Sequence, residues 1–129
     1  MIQAKGTFEV KLTPQSAADA PVGRRSIDKQ FSGDLEATSQ GEMLAIMTEV
    51  KGSAGYVAME RVTGKLGGKS GSFALQHSGT MRRGVSELSI TVVPDSGTGE
   101  LAGISGRMEI IIAEGRHSYV FDYTISQVH

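Results

Sequence analysis

The chain reads as an all-β domain of about eight antiparallel strands, and three observations carry that reading. Apolar and polar residues alternate with period two along most of the sequence, and no useful window prefers a helical period. The 17 glycines stand between these segments as punctuation and are not gathered into a linker. The third observation is a short pattern that returns three times. Residues 63–71 read TGKLGGKSG and residues 98–106 read TGELAGISG, identical at Thr, Gly, Leu, Gly, Ser and Gly. Residues 32–41, SGDLEATSQG, are a looser copy with Ala37 at the middle glycine and one extra residue before Gly41. Strand-like segments flank each copy, so the repeat describes a series of similar hairpins.

The elements follow in chain order. Phe8, Val10 and Leu12 alternate with Thr7, Glu9 and Lys11 in a strand near residues 5–13. Pro14 to Ser26, PQSAADAPVGRRS, is polar, carries two prolines and reads as an exposed excursion. Strands are expected near 28–36 and 41–50. The second of these is apolar on both faces, with Leu44, Ile46 and Val50 opposite Met43, Ala45 and Met47. Segments 55–66 and 71–80 follow, joined by a turn at 67–70. Arg82 and Arg83 then form a charged turn before 85–93, where Leu88, Ile90 and Val92 alternate with Glu87, Ser89 and Thr91. A short piece at 98–102 precedes strands at 105–113, with Met108, Ile110 and Ile112, and at 117–126, with Tyr119, Phe121, Tyr123 and Ile125.

Strands joined by short connections close into a barrel to remove exposed edges, with a sandwich as the competing arrangement. Strands apolar on both faces fit a filled barrel whose outside is covered by a neighbouring subunit, so a homo-oligomer is expected. At 129 residues the chain reads as one domain, 1–129, large enough to bury a core without staples. Its 13 basic and 14 acidic residues give a net charge of −1, with no basic footprint for nucleic acid or an anionic membrane. The absence of cysteine excludes disulfides, thiolate metal sites and cysteine nucleophiles, and fits a reducing compartment. The start, MIQAKGTFEV, has no apolar signal core, and no apolar run approaches the roughly 20 residues that span a bilayer. A cytoplasmic protein with no nucleic-acid partner, membrane partner, metal or cofactor is the expectation.

The repeat also sets a register. It makes Leu35, Leu66 and Leu101 equivalent, then Met43, Phe73 and Met108, then Met47, His77 and Ile112. His77 thereby joins Phe73 and Leu75 on the inner face. Counting back from Leu66 by twos puts Val62, Glu60, Ala58 and Tyr56 on that face too. With a plain connection at 67–70, residues summing to about 137 pair, and Glu60 stands opposite His77. A carboxylate and an imidazole facing each other in a poorly solvated interior shift each other's pKa and form a possible acid/base couple. A satisfied structural pair does the same, and that plainer reading carries more weight.

Other patterns are weak. GGKS at Gly67 to Ser70 has Thr63 where a phosphate loop needs its first glycine, and a strand follows where a helix is required. Gly97, Gly99, Gly103 and Gly106 lack dinucleotide-binding spacing. Ser78, Ser96 and Ser105 lie in no nucleophile elbow. His77, His117 and His129 make a thin case for metal, His117 near Glu114 being the best of it. Met43, Met47, Met59 and Met108 read as core filler that would also adapt to an apolar ligand.

KGTFEVK, FSGDLEATSQGEML, AMERVTGKLGGKSGSFALQHSGTM and TVVPDSGTGELAGISG closely resemble, over nearly the whole chain, a bacterial family of unknown function. Its members look like small barrels of the allene-oxide-cyclase-like type. The resemblance implies a closed antiparallel eight-stranded meander barrel, usually oligomeric. Allene oxide cyclases and dirigent proteins share with this chain only a loose G-T-G with spaced glycines, here Gly97, Thr98, Gly99 and Gly103. No catalytic residue carries over from them, and fold likeness alone does not assign chemistry.

Three functions are in contention. The first is binding or steering of a small apolar ligand among Tyr56, Glu60, Phe73, Leu75 and His77. The second is isomerase or cyclase chemistry with Glu60 and His77 as catalytic candidates. The third is a barrel with a filled interior that serves subunit contact. An open cavity at Glu60 and His77 would favour the first two.

Overall fold

The computed structural model describes residues 1–126, all of them in strands or their connections. The strands are β1 (Ile2–Pro14), β2 (Gly23–Gly33), β3 (Leu35–Met47), β4 (Ala54–Leu66) and β5 (Lys69–Arg82), then β6 (Val85–Val92), β7 (Thr98–Gly99), β8 (Ile104–Ala113) and β9 (Arg116–Ile125). Eight long strands pair antiparallel in chain order, and β1 closes on β9, giving the expected closed eight-stranded meander barrel. The two-residue β7 folds back onto Gly71 and Ser72 of β5. Closure is uneven, because β6 and β8 share a single ladder position, Thr91 with Arg107. No helix long and apolar enough to cross a membrane occurs among the described residues.

The period-two pattern sorts side chains as the sequence predicts. Phe8, Phe31, Phe73, Phe121, Ile90 and Met108 are buried inside, each contributing about 1.5–3 kcal/mol by leaving water. Phe73, Phe121 and Tyr123 stack with centroids 5.6 and 5.3 Å apart. Leu35, Leu66 and Leu101, the three leucines aligned by the repeat, are each 1% exposed in the packed interior. Beside them the Tyr119 hydroxyl donates to the Ser32 carbonyl and accepts from the Leu35 amide, both at 2.9 Å. On the outside, Leu44 and Ile46 of β3 and Val57 and Met59 of β4 remain exposed.

Three hairpins use two-residue turns, Gly67-Gly68, Arg83-Gly84 and Glu114-Gly115, with positive φ at all six positions. That is the type I′ geometry, whose twist matches that of the strands it joins. Arg83 lies in its turn as expected, whereas Arg82 ends β5.

The structure corrects three boundaries. The second and third strands meet at Asp34, so 37–40 is strand and not a connection between 28–36 and 41–50. The cause is not local: the Asp34 carboxylate accepts from the Lys5 amide at 2.9 Å, and its own amide donates to the Lys5 carbonyl at 3.1 Å. The excursion is shorter than Pro14 to Ser26, since Gly23 to Ser26 already pair with Ala45 to Glu42. In the β4–β5 hairpin partners sum to 135, not about 137, because the turn has two residues and not four.

Two glycine substitutions separate crowding from backbone strain. At Gly41 a Cβ would collide with the Met59 carbonyl oxygen and lie 2.7 Å from Glu60 Cα, whereas at Gly68 (φ +83°) it would meet nothing. In urea unfolding Gly41→Ala is expected to lose at least about 2 kcal/mol, and Gly68→Ala about 1 kcal/mol from left-handed strain alone.

Candidate functional site

Four consecutive strands each send one polar side chain into the interior: Lys29 from β2, Ser39 from β3, Glu60 from β4 and His77 from β5. Alternation places all four inward among apolar neighbours. Lys29 pairs with Ser39, Gly41 pairs with Glu60, and Ala58 pairs with His77. Glu60 is the centre of the group and is 2% exposed. Its Oε1 accepts from Ser39 Oγ at 2.9 Å, while Oε2 accepts from Lys29 Nζ at 2.9 Å and contacts His77 Nε2 at 2.7 Å. The Lys29 ammonium also lies 5.1 Å from the centroid of the Phe8 ring and 5.8 Å from that of Phe31, a favourable position against the electron-rich ring faces.

Electrostatics fixes the ionisation of this group. Burial pushes the Glu60 carboxyl up, but the His77 hydrogen bond and the Lys29 charge outweigh it and hold the pKa down to about 2. Glu60 is therefore a carboxylate at neutral pH and only accepts, so His77 Nε2 carries the shared hydrogen. Nδ1 of His77 makes no hydrogen bond among the described residues. No fully buried side-chain nitrogen or oxygen there lacks a partner, so Nδ1 reaches accessible space.

A cavity of about 840 Å³ opens at one end of the barrel, beyond this polar group. Its walls include Met43, Ala45, Met47, Tyr56, Met81 and Leu88, and the residue 15–22 connection extends along it with small side chains such as Ala17, Ala18 and Ala20. The Tyr56 ring lies across Gly79, where a Cβ would come 3.0 Å from Tyr56 Cδ1. Burial, and then the nearby Glu60 charge, push the Tyr56 hydroxyl up, so it remains a hydrogen-bond donor at neutral pH.

The expected site residues thus divide. Tyr56 is on the cavity wall. Phe73 and Leu75 are fully buried in the packed core. Glu60 and His77 touch, but diagonally: Glu60 is opposite Leu75 and His77 opposite Ala58. Two participants escaped the sequence reading. Lys29 stands at an inward position between Ile27 and Phe31, a charge in an alternating run, and that was the available signal. Ser39 was hidden by the misplaced connection. His117 packs its ring against Phe8 at 5.3 Å, and His129 lies outside the described residues. Among the described residues no group of three His, Cys, Asp or Glu could hold a metal ion. The GGKS segment is the β4–β5 hairpin.

Comparison with known proteins bears on family and fold. A family model described as a protein of unknown function, DUF3224, matches residues 4–123. The crystal structure of a DUF3224 protein of unknown function from Shewanella oneidensis is similar, with 52% identity over 99% of both chains and a TM-score of 0.93. No curated protein matches the chain.

Removing the central carboxylate strands a buried ammonium. Glu60→Gln is expected to cost about 3–5 kcal/mol in chemical denaturation, and adding Lys29→Met should recover much of the loss. A second expectation concerns acid. The folded pKa of Glu60, about 2, lies below its ordinary value of 4.5, so its stabilisation is complete above about pH 4.5 and is lost as pH falls through 2. Wild-type unfolding free energy should drop by about 3 kcal/mol over that window. A Lys29→Met/Glu60→Gln protein should lack this part of the acid limb.

Proposed function

The chain belongs to the DUF3224 family, whose function is unknown, and we propose that it binds or steers a small, largely apolar molecule in the cavity at the open end of its barrel. The observation that carries this reading is the cavity itself. Its volume, about 840 Å³, falls in the range of small-molecule sites, which are mostly apolar with a few polar groups that orient the ligand. Methionine walls adapt to irregular shapes, and the Tyr56 hydroxyl supplies a donor. Beneath, Lys29, Ser39, Glu60 and His77 tie four strands together, which keeps the floor rigid.

Isomerase or cyclase chemistry is the second reading, and one observation favours it: His77 Nδ1 has no protein partner while Nε2 is held by Glu60. That is an imidazole oriented through one nitrogen with the other unpaired, in a residue that is 4% exposed and does not line the cavity. It requires a ligand that reaches Nδ1. A third element of the proposal is contact with a second copy through exposed Leu44, Ile46, Val57 and Met59 on the outer face of β3 and β4, where Leu44 pairs with Val57. Sedimentation velocity of a strict monomer at all concentrations would remove it.

Native mass spectrometry of protein purified from its own host should show a retained small molecule, lost or weakened in Ala45→Phe, which narrows the cavity. Protein that carries nothing, and whose Met43 and Tyr56 NMR signals ignore apolar probes, would sink the binding reading. Turnover of the retained molecule that disappears in His77→Ala would favour the enzyme.

A further inference from the structure

Arg25 stands on the inner face of β2 at its exposed, open-end position, and has no carboxylate partner among the described residues. It shares the inner face with Ile27, Lys29 and Phe31, of which Lys29 is neutralised by Glu60 at 2.9 Å. Its neighbour Arg24 faces the other way and pairs with Glu42 at 3.1 Å. Arg25 lines the cavity and forms no ion pair. Two carboxylates, Asp19 in the 15–22 connection and Glu87 on β6, lie on the same rim, and neither reaches it.

The register gives Arg25 a companion. Arg25 pairs with Met43 and Tyr56 pairs with Ala45, so the two residues stand on the strands either side of the Met43–Ala45 stretch of β3, with the Tyr56 ring leaning over Gly79 of β5. The strands that carry them are two ladder spacings apart, roughly 10 Å, which long side chains close on a group held between them. Tyr56 Oη makes no hydrogen bond among the described residues, and the guanidinium makes none either. Arg25 is exposed, and a neutral apolar ligand lying against it would strip part of its water and return nothing. A ligand with an anionic oxygen pair offsets that loss with charge-assisted hydrogen bonds.

We propose that the cavity selects an apolar-bodied molecule carrying one carboxylate, gripped by the Arg25 guanidinium with the Tyr56 hydroxyl as second donor, its body lying against Met43, Met47 and Met81. This rests on the binding reading above and deepens it by naming the ligand's charge and the residue that reads it.

The test uses three probes of one chain length, decanoate, 1-decanol and decylamine, titrated by calorimetry into the full chain at low ionic strength, below their aggregation limits. Decanoate is expected to bind about ten-fold more tightly than decanol. That ratio should collapse toward one in Arg25→Gln and survive in part in Arg25→Lys, which keeps the charge. The carboxyl carbon of labelled decanoate should titrate at lower pH when bound to wild type than when bound to Arg25→Gln, a readout that misfolding does not imitate. Equal binding of acid and alcohol overturns the proposal and leaves the apolar cavity standing. So does a preference for decylamine, which would assign control to Asp19 and Glu87, and so does an acid preference that survives Arg25→Gln. If none of the three binds, the cavity reading itself falls.

Discussion

A carboxylate buried at the centre of a small barrel imposes conditions on everything around it. Glu60 is ionised and nearly sealed from water, a state that costs several kcal/mol unless its lone pairs and charge are met. Lys29 supplies the opposite charge, and Ser39 and His77 supply the remaining donors. These residues come one each from β2, β3, β4 and β5, so three successive strand pairings must hold their registers for the group to assemble. A slip of one residue in any of them would turn a member outward and leave a charge or a donor unpaired. Tight turns and bare glycines serve the same end. Gly67-Gly68 sets the β4–β5 ladder, and Gly41 lets the β3 backbone pass close beside Glu60 where any Cβ would collide.

The barrel is consequently unlike from end to end. Leu35, Leu66 and Leu101 and the stacked aromatics pack one part solidly, the polar group occupies the middle, and beyond it the walls part around a methionine-rich cavity. A filled interior and a cavity open at Glu60 and His77 were the competing expectations; the interior is filled around those two residues, and the cavity lies beyond them at the open end, lined by neither. This arrangement supports a cup with a stiff floor more readily than a site centred on the carboxylate–imidazole pair, which lies beneath the cavity walls. The DUF3224 membership and the Shewanella oneidensis structure establish family and fold; the binding role is argued from the cavity and from Arg25 and Tyr56.

How far the residues themselves could be read is best seen in particular positions. The repeat correctly grouped three leucines and put Glu60 and His77 on the inner face. The expected partner sum of 137 was two too large. An error of two preserves the face of every side chain, because strand side chains alternate with period two, so the contact survived as a diagonal one. The repeat's limit lay elsewhere. Met47 and Ile112, aligned with buried His77, are 79% and 68% exposed at the open end, since alternation predicts facing but not how much protein lies beyond. Lys29 was visible as a charge inside an apolar alternation, and Ser39 was not, because the bend that decides its face is made by Lys5 and Asp34.

By itself the sequence determined the fold class, the number and order of long strands and the two faces of most of them, because these follow from short-range alternation and turn chemistry; the family entered only through the resemblance of whole strings. Tertiary structure decided where β2 ends, which donors reach Glu60, and where the interior is full or empty. Those outcomes depend on contacts between residues far apart in the chain and on the length of single turns. A turn of two residues or of four is equally compatible with local alternation, and only the closed barrel, with its buried charge to satisfy, selects between them.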